Sequence, residues 1–374
     1  MIVRPRVLLL IPHFGGGGAE AVFALLARGL SCDKYEMHIG LVTQTNLPAG
    51  CSLQGVAVHV LGAGRIRCAA FRVAALVRRV RPHLILSGMF HLNFLVLLLR
   101  PFFPRPVRIL VRQNGTVSSA LENQPAYTRI LYRILYRRAD KVVCQSRAMA
   151  DDLARELGLE ESRLAVLPNP IDVDAIRLAA RQSTYSWSGS GPHLVAVGRL
   201  SKEKGFDLLL ESLQAVREFF PGVDLVIAGA GSEEVALKSR CSELGLDAAV
   251  RFAGNVDQPA VLFQGASAFV LSSRHEGMPN ALLEAAAAGL PIVATAASRG
   301  IVDLLRDRPG TWLAAEITSA ALADSIRHAL ECSRPQERFT HSFIEPFRLE
   351  RAIRGYEELI HTALDDEEML RAKR

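Results

Sequence analysis

The stretch HEGMPNALLEAAAAGLPIVAT, residues 275–295, carries the strongest information in the chain about its fold. It follows an apolar run, residues 268–271, that is typical of a buried strand. Pro279 suits the first turn of a helix, because the N–H that proline lacks would have no partner there. A second apolar run, residues 291–294, predicts another strand after the helix. Strand, helix and strand in this order indicate a parallel sheet covered by helices.

Two carboxylates lie close together in this stretch. Glu284 falls about one turn inside the predicted helix, where its neighbours from 281 to 288 are all Ala or Leu. A carboxylate among small apolar residues needs a polar partner, and the hydroxyl groups of a ligand would serve. Glu276 lies in the loop before the helix, so both carboxylates are expected to face one cleft. The alternatives are a glycosidase pair, which the cations nearby disfavour, and a structural role at the start of the helix.

Strand and helix patterns alternate through the rest of the chain. In the first half, strands are predicted at residues 7–11, 37–43, 57–61, 84–87, 108–112 and 141–145, with helices at 19–30, 69–80 and 127–138. In the second half, further strands are predicted at 194–197, 224–228 and 250–252, with helices at 206–219, 233–244, 259–265, 279–288 and 347–364. Residues 183–192 are rich in Ser and Gly and indicate a linker or loop, and the charged tail from 365 is expected to fray. The pattern predicts an α/β protein with two doubly wound, Rossmann-like domains facing across a cleft, with ligands at the carboxyl ends of the strands.

Composition excludes several classes of protein. The 374 residues are 49% hydrophobic and 22% charged, which rules out disorder, and the length favours two domains. Six scattered cysteines without a CxxC pair fit a reducing, cytoplasmic compartment. Ten histidines without HxxxH spacing predict no metal site. The apolar run at 7–11 is too short for a signal peptide, and the run at 89–99 holds His91 and is about half a membrane span.

Charge is distributed unevenly between the two halves. Residues 1–181 contain 24 Lys and Arg against 12 Asp and Glu, and residues 182–374 contain 20 against 26, which gives +12 and −6. The basic half is almost entirely Arg, which favours phosphate-rich partners through bidentate contacts. Residues 65–81 and 127–138 form basic amphipathic helices, and these predict contact with an anionic membrane on its inner face. The alternative is a solvated Arg face over a core helix; nucleic acid is not indicated, because no RNA- or DNA-binding module is present.

Four glycines, Gly15–Gly18, join the first predicted strand to the first helix. They would let the backbone approach a phosphate or an anionic acceptor group at the helix N-terminus. The spacing also fits a loose dinucleotide fingerprint. That fingerprint needs an acid at the end of the second strand, where Thr43 and Gln44 stand instead, so NAD binding is an alternative that the sequence disfavours. A simple tight turn is the other alternative.

A second loop with ligand-binding character is GRLSKEKG, residues 198–205, between a strand and a helix. Arg199 and Lys204 could converge on a pyrophosphate and neutralise a leaving group without a metal ion. A solvated charged loop is the alternative for this segment taken alone.

These motifs together resemble the retaining GT-B glycosyltransferases that use nucleotide sugars, in particular bacterial enzymes that extend lipid-linked or cell-surface glycans. The resemblance covers nearly the whole chain. It implies an N-terminal acceptor domain over residues 1–170, a C-terminal donor domain over 171–345, and a last helix within 346–374 that returns to the first domain. It also implies a nucleotide-sugar donor, with UDP preferred, a glycan or lipid-linked acceptor, and no cofactor or metal.

The resemblance implies a role for each matching residue. Arg199 and Lys204 would bind the donor diphosphate, Glu284 would bind the ribose hydroxyls, and Glu276 would contact the transferred sugar. Further donor contacts would come from Gly17, Gly18, Gly198, Gly277, Met278, Pro279, Asn280 and Ala281.

One position departs from the family pattern. Many members have a His after the strand at residues 108–112, near the reacting sugar, and this chain has Gln113 there. Gln113 can donate a hydrogen bond but cannot act as a base near neutral pH. A front-face mechanism, in which the leaving phosphate takes the acceptor proton, tolerates this change. Arg112, Asn114 and His91 are the candidates for contacts on the acceptor side.

Two other functions remain open from the residues alone. A sugar-nucleotide epimerase of the same fold would need proton-transfer groups flanking the sugar. A non-catalytic membrane- or glycan-binding protein would bind no nucleotide.

Overall fold

The computed structural model describes residues 4–15, 17–43, 53–104, 107–122, 124–334 and 337–372. The strands are β1 (Arg6–Ile11), β2 (Glu36–Leu41), β3 (Val56–Val60), β4 (Leu84–Gly88), β5 (Arg108–Arg112), β6 (Lys141–Cys144), β7 (Leu164–Val166), β8 (His193–Val197), β9 (Asp224–Ala228), β10 (Val250–Gly254), β11 (Ala268–Leu271), β12 (Ile292–Ala294) and β13 (Thr311–Leu313). The helices are α1 (Gly18–Gly29), α2 (Ala70–Val80), α3 (Phe90–Leu99), α4 (Val117–Leu121), α5 (Ala126–Tyr136), α6 (Arg147–Leu157), α7 (Val173–Arg181), α8 (Phe206–Phe219), α9 (Glu234–Glu243), α10 (Asn280–Ala287), α11 (Arg299–Leu305), α12 (Ser319–Cys332) and α13 (Leu349–Ala372).

The chain divides into two compact units. The first unit comprises Met1–Pro170 together with Pro346–Arg374, and the second comprises Ile171–Glu345. Each unit is built on one parallel sheet, with the strand order β3-β2-β1-β4-β5-β6-β7 in the first and β10-β9-β8-β11-β12-β13 in the second. The predicted α/β class with two doubly wound domains is therefore confirmed.

Side-chain alternation along β1 explains why helices cover both faces of the first sheet. Leu8 and Leu10 join a core that includes residues of α2, α3, α5 and α6. Val7, Leu9 and Ile11 join a second core that includes residues of α1 and α13. Because successive side chains of a strand point to opposite faces, a continuous apolar strand needs an apolar layer on each side.

The last helix, α13, belongs to the first unit, although 175 residues of the second unit precede it in the chain. Ile353, Tyr356 and Ile360 are buried in the core beside α1. An ion pair between Lys34 Nζ and Glu357 Oε2, 2.7 Å apart, joins α13 to the segment between α1 and β2.

In the second unit, the segment at residues 183–192 is a loop that packs on the unit. The indole of Trp187 donates a hydrogen bond to the carbonyl of Gln264 at 2.7 Å, and its ring stacks on His193 with centroids 4.7 Å apart. The division between the units lies before this loop and before α7, at residues 170 and 171.

Several elements were not predicted or differ from the prediction. The sequence pattern missed the helices α3, α4, α6, α7, α11 and α12 and the short strands β7 and β13. Residues 259–265, predicted as a helix, contain a 3₁₀ helix at Pro259–Phe263. The prediction that the tail from residue 365 frays is wrong as far as Ala372, because the backbone of α13 is helical to that residue. Acidic residues and Leu favour helix over this stretch, and His361 pairs with Asp365 one turn later at 2.6 Å.

Candidate functional site: the donor side in the second unit

The candidate donor site lies where the strand order of the second sheet reverses. β8 is central, and the chain proceeds from it to β9 on one side and later to β11 on the other. The loop at residues 198–205 follows β8, and the loop at residues 272–279 follows β11. Both loops therefore leave the carboxyl ends of adjacent strands, which is where open α/β sheets bind ligands.

Glycines hold the loop after β8 against the turn after β9. A Cβ atom on Gly229 would lie 1.9 Å from the carbonyl oxygen of Gly198, and one on Gly231 would lie 2.2 Å from that of Leu200. The close approach allows the backbone N–H of Leu200 to donate to the carbonyl of Ala230 at 3.0 Å. The contact uses only main-chain atoms, so it does not depend on the side chain of Ala230.

Lys204 and Glu276 were predicted as site residues on two separate loops, and the structure pairs them with each other, which the sequence did not predict. The ammonium group of Lys204 donates to Glu276 Oε1, and the hydroxyl of Ser273 donates to the same oxygen at 2.8 Å. The Glu276 side chain is only 8% exposed, whereas that of Lys204 is 22% exposed. The two residues thus neutralise each other, and each retains polar capacity for a ligand.

Arg274 clamps the same two loops together, and the sequence did not single it out. Its guanidinium forms a bidentate pair with Asp207, with both N–O distances 2.7 Å. The Arg274 guanidinium also holds the pKa of the Asp207 carboxyl below its usual value through hydrogen bonding. The backbone N–H of Arg274 donates to the carbonyl of Glu203 at 2.7 Å. In the sequence, Arg274 is only one more charged residue near Glu276, and nothing local marks its pairing with Asp207.

Glu284 lies on α10 among buried alanines and leucines, as the sequence predicted. The part of the chain that the structure describes supplies no hydrogen bond or ion pair to its carboxylate. Desolvation raises the pKa of the Glu284 carboxyl from 4.5 to about 7. The side chain retains partial exposure to solvent, so a hydroxyl-bearing ligand can reach it. A carboxylate that is desolvated but reachable is suited to accept hydrogen bonds from a ligand.

The N-terminus of α10 provides main-chain donors beside these carboxylates. The helix begins at Asn280, and its first bond runs from the N–H of Leu283 to the carbonyl of Pro279. The backbone N–H groups of Ala281 and Leu282 precede this bond and have no carbonyl partner inside the helix, and such groups favour a negative ligand. Three of the predicted donor residues, Gly277, Met278 and Pro279, are buried, whereas Asn280 and Ala281 are partly exposed.

Arg199 stands apart from the Lys204 cluster. Its side chain is exposed, and no acidic side chain pairs with it among the residues that the structure describes. Gly198 begins the loop, and a Cβ there would lie 3.7 Å from the Lys204 side chain, an ordinary contact. Arg199 is thus a cation available to a ligand, while Lys204 is a cation that a ligand would share with Glu276.

Candidate functional site: the first unit and the comparisons

Gln113 is held firmly at the end of β5. Its side-chain oxygen accepts a hydrogen bond from the hydroxyl of Tyr136 at 2.7 Å, and its amide donates to the carbonyl of Gly115 at 2.9 Å. The amide of Gln145, after β6, donates to the Gln113 carbonyl at 3.1 Å. The residue is buried, with its amide oriented by these partners.

Arg112 is 1% exposed, so its guanidinium does not reach solvent. It donates to the side-chain oxygens of Asn114 and Asn169, and its backbone carbonyl accepts from the amide of Asn93 at 3.0 Å. The expectation that Arg112 itself contacts an acceptor is therefore corrected: it orients Asn114, which is partly exposed. His91 is exposed at the start of α3, with its ring 5.0 Å from that of Phe90.

A buried carboxylate, that of Glu20, lies beside the glycine loop at the start of α1. Gly17 precedes the helix and Gly18 begins it, while Gly16 and Gln44 lie outside the described residues. The buried Glu20 folds back so that a Cβ on Gly17 would meet its Oε2 at 2.4 Å. His13 Nδ1 is 3.7 Å from Glu20 Oε1. The carboxylate already meets the positive end of the α1 dipole, so an anionic ligand would have to share this position.

No group of three or more His, Cys, Asp or Glu side chains suited to hold a metal ion occurs among the described residues. Over the same residues, no helix is both long enough and apolar enough to cross a bilayer.

Comparison with protein families and known proteins agrees with this architecture. Residues 17–170 match the family described as glycosyl transferase 4-like domain, and residues 184–343 match glycosyl transferases group 1. The chain is 29% identical to the lipopolysaccharide core biosynthesis glycosyltransferase LpsE of Rhizobium meliloti, over 76% of this chain and 77% of that protein. It is 24% identical to an N-acetylgalactosaminyltransferase of Campylobacter jejuni named for a diphospho-undecaprenol acceptor, over 80% and 83% of the two chains.

Solved structures share the fold over the whole length. Sucrose-phosphate synthase from Thermosynechococcus elongatus covers 97% of this chain and all of its own, with a TM-score of 0.79 and 16% identity. HepE of Anabaena, solved with UDP and glucose, covers 96% of this chain and all of its own, with a TM-score of 0.78 and 18% identity. The chain belongs to the glycosyltransferases of the GT-B fold.

Proposed function

We propose that this glycosyltransferase moves a sugar from a UDP-sugar to a glycan or lipid-linked acceptor, with retention of the anomeric configuration and without a metal ion. The observation that carries the proposal is the Lys204–Glu276 ion pair between the loops after β8 and β11, with the buried carboxylate Glu284 on the helix that follows the second of these loops. Two comparisons support the substrate classes. A structural neighbour was solved with UDP and glucose, and two relatives are named for lipopolysaccharide core synthesis and for a diphospho-undecaprenol acceptor. Synthesis of a bacterial surface glycan follows as the proposed setting.

The nucleotide would bind through its ribose and its phosphates. The Glu284 carboxylate accepts hydrogen bonds from the ribose hydroxyls, which supply a polar partner that the described residues do not give it. Arg199 and Lys204 lie on the loop after β8 and contact the diphosphate. The N–H groups at the start of α10 add main-chain donors of the kind that bind phosphate at helix N-termini.

The reaction requires a leaving group that departs with negative charge. The bond from the anomeric carbon to the β-phosphate oxygen breaks, and the acceptor oxygen forms the new glycosidic bond on the same face. The departing phosphate oxygen takes the proton of the acceptor hydroxyl, so no protein base is needed, which agrees with Gln113 at the family's His position. Lys204 and Arg199 stabilise the charge on the UDP that leaves, and loss of one such cation is expected to cost on the order of 3 kcal/mol of transition-state stabilisation.

Glu276 is positioned to hold the transferred sugar. Its carboxylate accepts from Lys204 and Ser273, and its remaining lone pairs can accept from sugar hydroxyls. The contact with Lys204 links the sugar to the phosphates, so that a sugar bound to Glu276 has its anomeric carbon beside the cation that stabilises the leaving group.

Binding of nucleotides tests the donor site first. Thermal unfolding is followed with UDP, GDP, ADP and NAD on the wild type and on Glu284→Gln. Ligand at a hundred times its dissociation constant stabilises by about 2.7 kcal/mol. A shift with UDP that is lost in Glu284→Gln is expected. An NAD-only shift, or no shift with any nucleotide in folded protein, would contradict the proposal.

Turnover tests the reaction. In donor hydrolysis followed by NMR, a retaining enzyme releases from a UDP-α-sugar the α-anomer first, and EDTA leaves the rate unchanged. Arg199→Ala and Lys204→Ala should each lower the rate about a hundredfold. Release of the β-anomer would sink the retaining assignment, a free epimerised UDP-sugar would indicate an epimerase, and rates abolished by EDTA would require a metal.

A further inference from the structure

Exposed large apolar side chains of the first unit's helices concentrate on one face of its sheet. Phe71 of α2, Leu98 of α3 and the residue Phe102 that follows α3 are all more than half exposed. These helices contribute to the core on one side of β1, and α5 packs on the same side. Among the described residues, α1 and α13 on the opposite side present no exposed large apolar side chain. The asymmetry distinguishes one face of the unit from the other.

The helix α5 has two apolar stripes, and the unit covers only one. Tyr132, Leu135 and Tyr136 are buried, and Tyr132 packs against the ring of Phe94 on α3 at a centroid distance of 4.7 Å. The second stripe consists of Tyr127, Ile130, Leu131 and Ile134, which are between 42% and 69% exposed. Their spacing of i, i+3, i+4 and i+7 places them on one side of the helix. We call these four residues the outer stripe.

Arginines accompany the outer stripe. Arg129, Arg133 and Arg137 follow the i, i+4, i+8 spacing and form a row directly beside it. Arg129 pairs with Glu156 at 3.1 Å, whereas Arg133 and Arg137 have no acidic partner within the described chain. We call these three residues the arginine row.

The charge of the three helices that expose these apolar side chains complements this arrangement. The helices α2, α3 and α5 contain five Arg and no Asp or Glu. By contrast, α13 on the opposite side of the sheet contains seven acidic residues. The three helices that expose these apolar side chains therefore carry only positive charge, whereas α6 on the same side contains Asp151, Asp152 and Glu156. Apolar side chains beside arginines match a surface that presents phosphates above an apolar layer.

We propose that the outer stripe and the arginine row of α5 form a docking surface for an anionic lipid bilayer. The helix lies in the plane of the interface, the outer stripe enters the boundary between headgroups and acyl chains, and the arginine row contacts lipid phosphates. A helix with an apolar stripe bordered by arginines is the arrangement that binds such an interface. Arginines at the surface of an anionic membrane contribute about 1 kcal/mol each. The surface is independent of the donor site, so vesicle binding needs neither nucleotide nor acceptor.

Co-sedimentation of the full chain with vesicles tests the proposal. One vesicle is pure phosphatidylcholine, and the other contains phosphatidylcholine with one third phosphatidylglycerol. The wild type is expected to sediment with the anionic vesicle, weakly with the neutral one, and less as salt rises toward 1 M, where the Debye length falls to about 3 Å. Arg133→Gln/Arg137→Gln should weaken partitioning roughly thirtyfold. Ile130→Ser/Ile134→Ser, which removes half of the outer stripe, should weaken it by a similar factor.

Two double variants serve as matched controls. Arg351→Gln/Arg354→Gln removes the same charge from exposed positions of α13, and Leu178→Ser/Val235→Ser removes two exposed apolar side chains of the second unit. Both should bind vesicles as the wild type does. All four variants change exposed residues, so their unfolding midpoints should equal that of the wild type.

Three results would overturn the proposal. The first is no sedimentation of the wild type with the anionic vesicle, or equal sedimentation with both vesicles. The second is a loss of binding in the control variants as large as in the α5 variants. The third is concentration-dependent self-association in sedimentation velocity that the Ile130→Ser/Ile134→Ser variant abolishes while vesicle binding persists, since the outer stripe would then pair with a second copy of the chain.

Discussion

Glu284 is the residue at which stability and proposed function conflict most clearly. Its carboxyl has a pKa of about 7 in the folded protein and about 4.5 when unfolded. The folded state therefore binds more protons between these values, and the free energy of unfolding falls as the pH rises from about 4.5 to about 7. An ionised carboxylate without a cation destabilises the folded protein, and a ligand that hydrogen-bonds the carboxylate removes that cost.

Replacement of Glu284 should separate the two properties. Glu284→Gln cannot ionise, so it should raise the free energy of unfolding at pH 8 by on the order of 2 kcal/mol while it weakens UDP binding. At pH 3 the difference in stability should vanish, because the wild-type carboxyl is then protonated in both states. Urea denaturation at the two pH values measures this, and a variant that is less stable than the wild type at pH 8 would contradict the argument.

Substitutions of Lys204 and Arg199 should change the stability of the protein by different amounts, although both residues bind the diphosphate in the proposed reaction. Lys204→Met leaves Glu276 buried without its cation, which should cost about 2–3 kcal/mol. Arg199→Met removes an exposed, unpaired charge and should stay within about 0.5 kcal/mol of the wild type. Denaturant titrations compare the two.

The double variant Lys204→Met/Glu276→Gln completes this comparison. It should regain most of the stability lost by Lys204→Met, because no buried charge remains, but none of the activity. If Lys204→Met and Arg199→Met were equally stable, the Lys204–Glu276 ion pair would not hold the loops after β8 and β11 together.

At the scale of elements, the sequence predicted the parts of the second unit that make the site. Apolar runs located β8, β9 and β11, and Pro279 placed the start of α10 within one residue. The amphipathic helices α6, α7 and α12 were missed, because charged residues interrupt the apolar spacing of their sequences. Packing against the sheets, which the local pattern does not show, stabilises these segments as helices. The pairing of Arg274 with Asp207 was also missed, since it joins residues 67 positions apart, and nothing local signals it.

The turn at Gly205 offers a controlled test of how the loop after β8 is held. Gly205 and Gly245 both follow helical segments with φ of +61° and +69°, but only Gly205 is crowded: its Cβ would lie 2.1 Å from the carbonyl oxygen of Ser272, whereas Gly245 has nothing within 4 Å. Alanine at either site carries the strain of positive φ, about 1–2 kcal/mol.

The two alanine variants should therefore diverge. Gly245→Ala should lose only that strain and should bind UDP normally. Gly205→Ala must also displace the loop after β11, so it should lose at least about 3 kcal/mol and bind UDP more weakly. Chemical denaturation and calorimetric titration with UDP measure the two effects. Equal losses in both variants would mean that the contact with Ser272 yields without cost.

At the scale of the whole molecule, the chain leaves the first unit at residue 170 and returns to it at 346. The composition of the two halves indicated two domains, and their opposite net charges marked them as different. The return of α13 came from the family resemblance and not from periodicity, because an amphipathic helix gives no sign of which sheet it covers. Burial of Ile353, Tyr356 and Ile360 beside α1 supplies that physical reason.

Because α13 completes the core of the first unit, a cavity there should leave the second unit's ligand response unchanged. Tyr356 is fully buried, and Tyr356→Ala should cost about 3–5 kcal/mol. Calorimetric unfolding is expected to resolve two transitions. Tyr356→Ala should lower the transition that UDP does not shift, and Phe263→Ala, a cavity in the second unit, should lower the transition that UDP raises. If Tyr356→Ala instead lowered the transition that UDP raises, α13 would stabilise the second unit. The conclusion that this helix stabilises the first unit would then be wrong.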